Sequence, residues 1–90
     1  MLYMVCEKFR TAGAREVYRR SGEKGRMLPD GLNYVASWVD LEFTRCFQLM
    51  ETDDFSLFAK WTALWEDLVE FEIVPVRTSA EAMAVIGPTL

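Results

Sequence analysis

The 90-residue chain contains no histidine. Histidine is the usual haem ligand, the commonest zinc ligand and the side chain that titrates nearest neutral pH. The sequence therefore disfavours a haem site, a zinc site and general acid–base catalysis by histidine. The two cysteines, Cys6 and Cys46, are too few for a disulfide framework or a closed metal site. Glycine-rich phosphate loops and nucleophile-elbow motifs are also missing. We therefore expect no metal and no bound cofactor.

Long hydrophobic runs are missing as well. No apolar segment approaches the roughly 18 residues of a membrane span, and residues 1–7 enter a strand pattern without the basic leader of a secretory signal. The net charge is −4 and the pI about 4.7, so the molecule repels nucleic acids and anionic membranes. These features predict a cytoplasmic protein with neither a nucleic-acid nor a membrane partner.

Hydrophobic residues, in contrast, are abundant. They make up 51% of the chain, which includes three Trp, six Phe and three Tyr. Ninety residues form one small domain, whose interior cannot easily hold so many large side chains. We expect a single domain over residues 1–90 that buries the surplus against a second copy of itself.

The periodicity of the apolar residues predicts alternating strands and helices. Four strands are predicted, at residues 2–8, 32–39, 43–51 and 69–76. Three helices are predicted, at residues 12–24, 53–68 and a short one beginning at 79. Expected helix caps are Thr11 for the first, Asp53 or Asp54 for the second, and a Thr78–Glu81 capping box for the third. Glu16 and Arg20 are spaced for an ion pair on the first helix.

Strands two and three form a hairpin that looks apolar on both faces. With Leu41 and Glu42 as its loop, Val39 pairs with Thr44. One face then carries Tyr34, Ala36, Trp38, Arg45, Phe47 and Leu49. The other carries Asn33, Val35, Ser37, Val39, Thr44, Cys46, Gln48 and Met50. The sequence leaves open which face meets the helices.

This element order is that of the α+β ferredoxin-like fold, a βαββαβ unit with a four-stranded antiparallel sheet and two helices on one face. Right-handed crossovers place strands one and three in the centre. The uncovered face would then pair with that of a second copy, as in a dimeric α/β barrel, with the short third helix at the C-terminus.

Four segments carry a resemblance to a known family: residues 25–32, 34–40, 45–51 and 69–76. They are similar to those of small, mainly bacterial proteins grouped as a domain of unknown function, with a shape like that of the dimeric α/β-barrel group. The resemblance implies a ferredoxin-like fold and a homodimer. It implies no substrate, cofactor or catalytic residue.

Polar side chains within the hairpin are the candidate ligand-binding residues. Ser37, Gln48 and Asn33 share a predicted face and could orient a small molecule between two sheets, or could simply satisfy neighbouring backbone groups. Arg45 lies beside Trp38 in the predicted pairing and could stack on it, bind a carboxylate or pair with an acid. The remaining candidate is Tyr34, as a hydrogen-bond donor.

Three functions follow from these features. The first is binding of a small apolar or aromatic molecule between the sheets of a homodimer. The alternatives are a cofactor-independent monooxygenase or isomerase, by analogy with barrel proteins, and a protein–protein interaction module without a ligand. RNA binding is disfavoured, because the third strand lacks the glycine and basic residues of RNA-recognition motifs. No catalytic residue is assigned.

Overall fold

The structure, a computed structural model, describes residues 1–90 and is built from four strands and three helices. The strands are β1 (Leu2–Phe9), β2 (Asn33–Val39), β3 (Arg45–Glu51) and β4 (Val69–Val76). The helices are α1 (Gly13–Lys24), α2 (Leu57–Thr62) and α3 (Ser79–Ile86), and a 3-10 turn (Gly87–Thr89) follows α3. The order βαββαβ is the predicted one.

All four strands belong to one antiparallel sheet with the order β2-β3-β1-β4. The central positions of β1 and β3 confirm the ferredoxin-like arrangement. In β1, Tyr3, Val5 and Glu7 are buried while the intervening residues are partly exposed, so the predicted alternation is correct.

The core lies between the sheet and the helices. Its sheet side includes Tyr3, Val5 and Met50, and its helix side is dominated by large rings from α2 and the turns that follow it, Phe58, Trp61 and Trp65. Tyr3 meets Phe58 edge to face, with centroids 5.1 Å apart. The opposite side of the sheet, which we call the open face, carries no helix; its two middle rows are Ala36, Leu49, Met4 and Val74, and Trp38, Phe47, Cys6 and Glu72.

The predicted hairpin pairing is wrong by two residues, because the loop is longer than expected. Val39 pairs with Cys46, and residues 40–44 form the loop. The Asp40 carboxylate closes it by accepting from the backbone N–H of Thr44 (2.7 Å) and of Arg45 (2.9 Å). The Thr44 hydroxyl also donates to this carboxylate, and this bond together with the two backbone bonds holds the pKa of Asp40 below its usual value. A shift by two residues leaves side chains on their predicted faces.

A β-bulge does change the faces. Ala36 pairs with Leu49 and Tyr34 with Met50, so Val35 is the extra residue of β2. The bulge turns Tyr34 towards the helices and Asn33 towards the open face, which reverses the predicted placement of both residues. The apolar pattern could not reveal it, because both faces of the hairpin are largely apolar.

The second helix is shorter than predicted. It ends at Thr62, and residues 63–68 form turns instead of continuing to 68. Several backbone bonds there span three residues, such as Trp65 N–H to the Thr62 carbonyl (3.0 Å) and Leu68 N–H to the Trp65 carbonyl (2.9 Å). This tighter winding returns the chain to β4 within a few residues.

The caps and ion pairs follow the prediction only in part. Ala12, not Thr11, precedes α1. Glu16 pairs with Arg19 (3.0 Å) instead of Arg20, whose guanidinium makes two hydrogen bonds to Asp67.

The predicted caps of α2, Asp53 or Asp54, are also wrong, because Ser56 is the residue that precedes the helix and its side chain makes no capping hydrogen bond. The Asp54 side chain accepts from the Ser56 backbone N–H (3.0 Å), two residues ahead. It thereby holds the turn that leads into the helix.

Helix α3 begins with the predicted Thr78–Glu81 capping box and then projects from the body. Its packing is with its own 3-10 turn, and its apolar side chains are exposed, Met83 to 61%. The radius of gyration, 14.9 Å, exceeds the roughly 12 Å of a compact chain of this length. No helix of the chain has the length and apolar character needed to cross a membrane.

Candidate functional site

A cavity of about 100 Å³ lies between the sheet and the helices, beside the core. Apolar side chains from β1, α1, β2 and the α2 region form most of its wall: Phe9, Val17, Tyr18, Val39, Trp61 and Trp65. Polar side chains cluster at one part of the wall: Glu7, Ser21, Arg26, Ser37 and Gln48. An apolar cavity with a few convergent polar groups is the usual form of a small-molecule site.

Glu7 and Gln48 are the two buried polar residues of the cavity. Both lie on central strands, and Glu7 is only 6% exposed. The Gln48 amide nitrogen donates to Oε2 of Glu7. Burial raises the pKa of Glu7, while the Gln48 hydrogen bond and the Arg26 charge oppose the rise. The second carboxyl oxygen, Oε1, makes no hydrogen bond within the chain, and it is accessible to solvent, because every fully buried side-chain nitrogen and oxygen has a partner.

Arg26 lies at the mouth of the cavity, in the segment between α1 and β2. Its Nε donates to the Gln48 side-chain oxygen (3.2 Å), and its Nη2 lies 3.5 Å from the Ser37 hydroxyl. The guanidinium also stacks on the Tyr34 ring, 3.7 Å from its centroid. Arg26, Gln48 and Glu7 therefore form a continuous polar chain from solvent to the buried carboxyl.

The backbone of Arg26 is held from the opposite side. Its carbonyl accepts from the indole N–H of Trp61 (2.9 Å) and from that of Trp65 (3.1 Å). Met27, the next residue, has a positive φ of 58°, a conformation that costs energy for a side chain of this size. The two indoles thus fix the backbone at the point where the guanidinium turns over the cavity.

The structure divides the six predicted ligand-binding residues into two groups. Tyr34, Ser37 and Gln48 lie on the helix side, where Ser37 pairs with Gln48 and bonds the Tyr34 hydroxyl at 2.7 Å. Asn33, Trp38 and Arg45 lie on the open face.

The open-face candidates make other contacts than expected. Asn33 donates to Glu51 (3.0 Å). Trp38 is 54% exposed and pairs with Phe47, so the predicted stacking of Arg45 on Trp38 is not formed. The open face therefore gathers no polar network comparable to the one at Arg26.

Sequence reasoning missed the two charged residues of the site, Glu7 and Arg26. Glu7 could have been found, since it shares the alternating face of Tyr3 and Val5 and is the one charged residue on it. Arg26 carries no local signal, because its role depends on contacts with residues that lie 8 to 39 positions away.

The cavity contains one thiol, that of Cys46. Burial and the neighbouring Glu7 charge raise its pKa to about 12, so it is a neutral thiol and not a nucleophile near pH 7. Nowhere in the chain do three or more His, Cys, Asp or Glu side chains come together as metal ligands. The chemistry available in the cavity is hydrogen bonding, apolar contact and proton exchange at Glu7.

Comparison with known proteins gives one assignment. No curated protein and no solved structure matches the chain. A family model described as "Domain of unknown function (DUF3303)" matches residues 1–90, and so includes every strand, every helix and all residues of the cavity. The chain therefore belongs to this family, the domain of unknown function DUF3303.

Proposed function

We propose that residues 1–90 form one domain that binds a small, largely apolar molecule in the cavity between sheet and helices. The observation that carries this proposal is the buried Glu7–Gln48 pair, which faces aromatic walls. Gln48 occupies only one carboxyl oxygen of Glu7, and the other is accessible and without a partner in the chain, so a ligand in the cavity could bond to it. This proposal puts the ligand on the helix side of the sheet, whereas the sequence analysis expected it between two sheets.

The first test is native mass spectrometry of protein purified without refolding, repeated under denaturing conditions. An extra mass that is released on denaturation supports the proposal and gives the mass of the ligand. A screen of small aromatic compounds by NMR, with the Trp61 and Trp65 indole N–H signals as reporters, covers the case of a ligand lost in purification.

A cavity-filling variant makes this test specific. Ser21 lines the cavity from α1 and makes no side-chain hydrogen bond, so Ser21→Phe should fill the space and abolish binding. Glu23→Phe, on the exposed side of the same helix, is the matched control and should bind as the natural protein does. Equal binding by both variants, or no binding by the natural protein, would refute the proposed site.

We also propose that the protein is a homodimer joined through the open face. Four strands about 4.8 Å apart, with eight residues rising about 3.3 Å each, give this face roughly 500 Å² per copy. Two such faces bury about 1,000 Å², the lower limit of specific interfaces. The exposed apolar side of α3, with Val85 and Ile86, can add to this area.

The oligomeric state tests this second proposal. Leu49 lies in a middle row of the open face, so Leu49→Glu should convert a dimer to a monomer in light scattering coupled to size exclusion. Leu41→Glu, at a 97% exposed position of the hairpin loop, is the matched control and should remain dimeric. A monomeric natural protein would refute the interface.

One observation favours catalysis as a second candidate function. Glu7 combines a raised pKa with an apolar cavity, which is the arrangement of a carboxyl that exchanges protons with a bound molecule. A cofactor-independent isomerase would use it in this way. Turnover of an identified ligand that survives Glu7→Gln unchanged would exclude this role.

A further inference from the structure

We propose that the cavity selects a neutral phenol, a single aromatic ring whose hydroxyl donates a hydrogen bond to Oε1 of Glu7. This inference rests on the proposed function, because it names the ligand class of the same cavity. The inference adds to the proposed function a specific hydrogen bond, between one atom of the protein and one group of the ligand.

The free carboxyl oxygen specifies a donor. Oε2 of Glu7 already accepts from Gln48, whereas Oε1 has no partner in the chain and is accessible, although the residue as a whole is only 6% exposed. An ionised carboxylate only accepts hydrogen bonds, so the ligand must bring an O–H or N–H group. An apolar ring without such a group would leave this oxygen unpaired and lose affinity.

The charge balance of the site specifies a neutral ligand. The Arg26 guanidinium lies at the mouth, 3.2 Å from Gln48, and Gln48 bridges it to Glu7. Because Glu7 and Arg26 carry opposite charges in one polar chain, an ammonium or a carboxylate gains one attraction but meets one repulsion, and it also loses its hydration in an apolar cavity. A hydroxyl avoids both penalties.

The walls and volume specify one flat ring. Trp61, Trp65, Phe9 and Tyr18 present aromatic surfaces to the cavity. Rings pack against such surfaces in offset or edge-to-face contact. Apolar cavities of about 150 Å³ hold one benzene ring in other proteins, so a cavity of about 100 Å³ that opens towards solvent holds no more than one ring.

The experiment compares phenol with toluene, which has the same shape but no donor. Dissociation constants are measured for the natural protein by calorimetry or from the shifts of the Trp61 and Trp65 indole N–H signals. We expect phenol to bind about tenfold more tightly, because a hydrogen bond to a charged acceptor contributes more than the additional apolar methyl. Benzoate and anilinium, the charged analogues, should bind more weakly than phenol.

The outcomes separate this inference from the proposed function. If neither phenol nor toluene binds, the cavity is not the site and the proposed function fails. If both bind equally, the cavity is a site but the donor assignment is wrong. If benzoate or anilinium binds more tightly than phenol, the assignment of a neutral ligand is wrong.

A variant then tests the role of Glu7 itself. Glu7→Gln keeps the shape of the side chain and removes its charge, so the advantage of phenol over toluene should fall below threefold. An unchanged tenfold advantage would mean that the hydroxyl binds elsewhere and would overturn the assignment. If this variant does not fold, the phenol–toluene comparison in the natural protein still decides between the outcomes.

Discussion

The shared carbonyl of Arg26 leads to a prediction about two of the three tryptophans. Because Trp61 and Trp65 both donate to it, either indole alone can satisfy this oxygen. Replacing Trp61 with Phe leaves the Trp65 bond in place, and the converse holds for Trp65→Phe. Only the double variant leaves the carbonyl without a donor. The two substitutions should therefore cost more together than the sum of their separate effects.

The expected size of this coupling follows from ordinary hydrogen-bond energies. Each single Trp→Phe change should lower the free energy of unfolding by about 1–2 kcal/mol, through one lost hydrogen bond and a smaller ring in the core. Leaving a partly buried carbonyl unpaired costs about 1 kcal/mol or more. The double variant should thus be about 1 kcal/mol less stable than the two single variants predict by addition.

Urea unfolding followed by far-UV circular dichroism measures this coupling without depending on tryptophan fluorescence. Trp38→Phe provides the control, because Trp38 is half-exposed on the open face and donates no hydrogen bond. Its effect should be additive with that of either core substitution. Strict additivity of Trp61→Phe and Trp65→Phe would refute the reasoning, since it would mean that the two indoles do not share an acceptor.

Three further predictions concern single residues. Glu7→Gln should raise stability at pH 7. Burial raises the pKa of Glu7 in the folded state above its usual value. The stability that Glu7 contributes is therefore present below the unfolded-state pKa and is lost as pH rises through the folded-state pKa. Urea unfolding should show the two proteins converging towards pH 4, and parallel pH profiles would contradict this. Phe43→Asn should add about 0.5–1 kcal/mol in the same assay, because Phe43 has a positive φ of 58° and an exposed side chain; no gain would mean that the loop strain is compensated. Gly31→Ala should cost about 1–2 kcal/mol, because Gly31 has a φ of 95° and its Cβ would lie 3.1 Å from Leu57. Gly22→Ala, in open space on α1, should instead stabilise by about 0.5–1 kcal/mol, and equal effects at the two glycines would contradict the argument.

The sequence predicts the fold best where one face of a strand or helix is buried and the other is exposed to solvent. Strand β4 agrees residue for residue with the prediction, and the alternation of β1 correctly separates Tyr3 and Val5 from Met4 and Cys6. The capping box of α3 is equally local, since both of its hydrogen bonds join residues three positions apart. In each case, the information needed lies within a few residues of the element.

Predictions fail where distant contacts decide the local structure. The pairing of β2 with β3 depends on the Asp40 side chain closing the loop and on the bulge at Val35, and apolar residues on both faces conceal the register. Helix α2 ends early although its apolar pattern continues to Leu68. The apolar pattern indicates which side chains are buried. Because a helix and a series of tight turns can bury the same side chains, the pattern does not show where the helix ends.

The residues of the site depend partly on local sequence patterns and partly on contacts between distant residues. Ser37 and Gln48 could be selected from the sequence as polar residues in an apolar strand, but the cavity that they face depends on which side the helices cover. Arg26 joins them from a loop whose backbone is held by Trp61 and Trp65, two residues that are distant in sequence. The residues that stabilise the core therefore also position the guanidinium over the cavity. It follows that the double tryptophan variant should discriminate less well between phenol and anilinium where the protein remains folded, since Arg26 would then lose the position from which it repels cations.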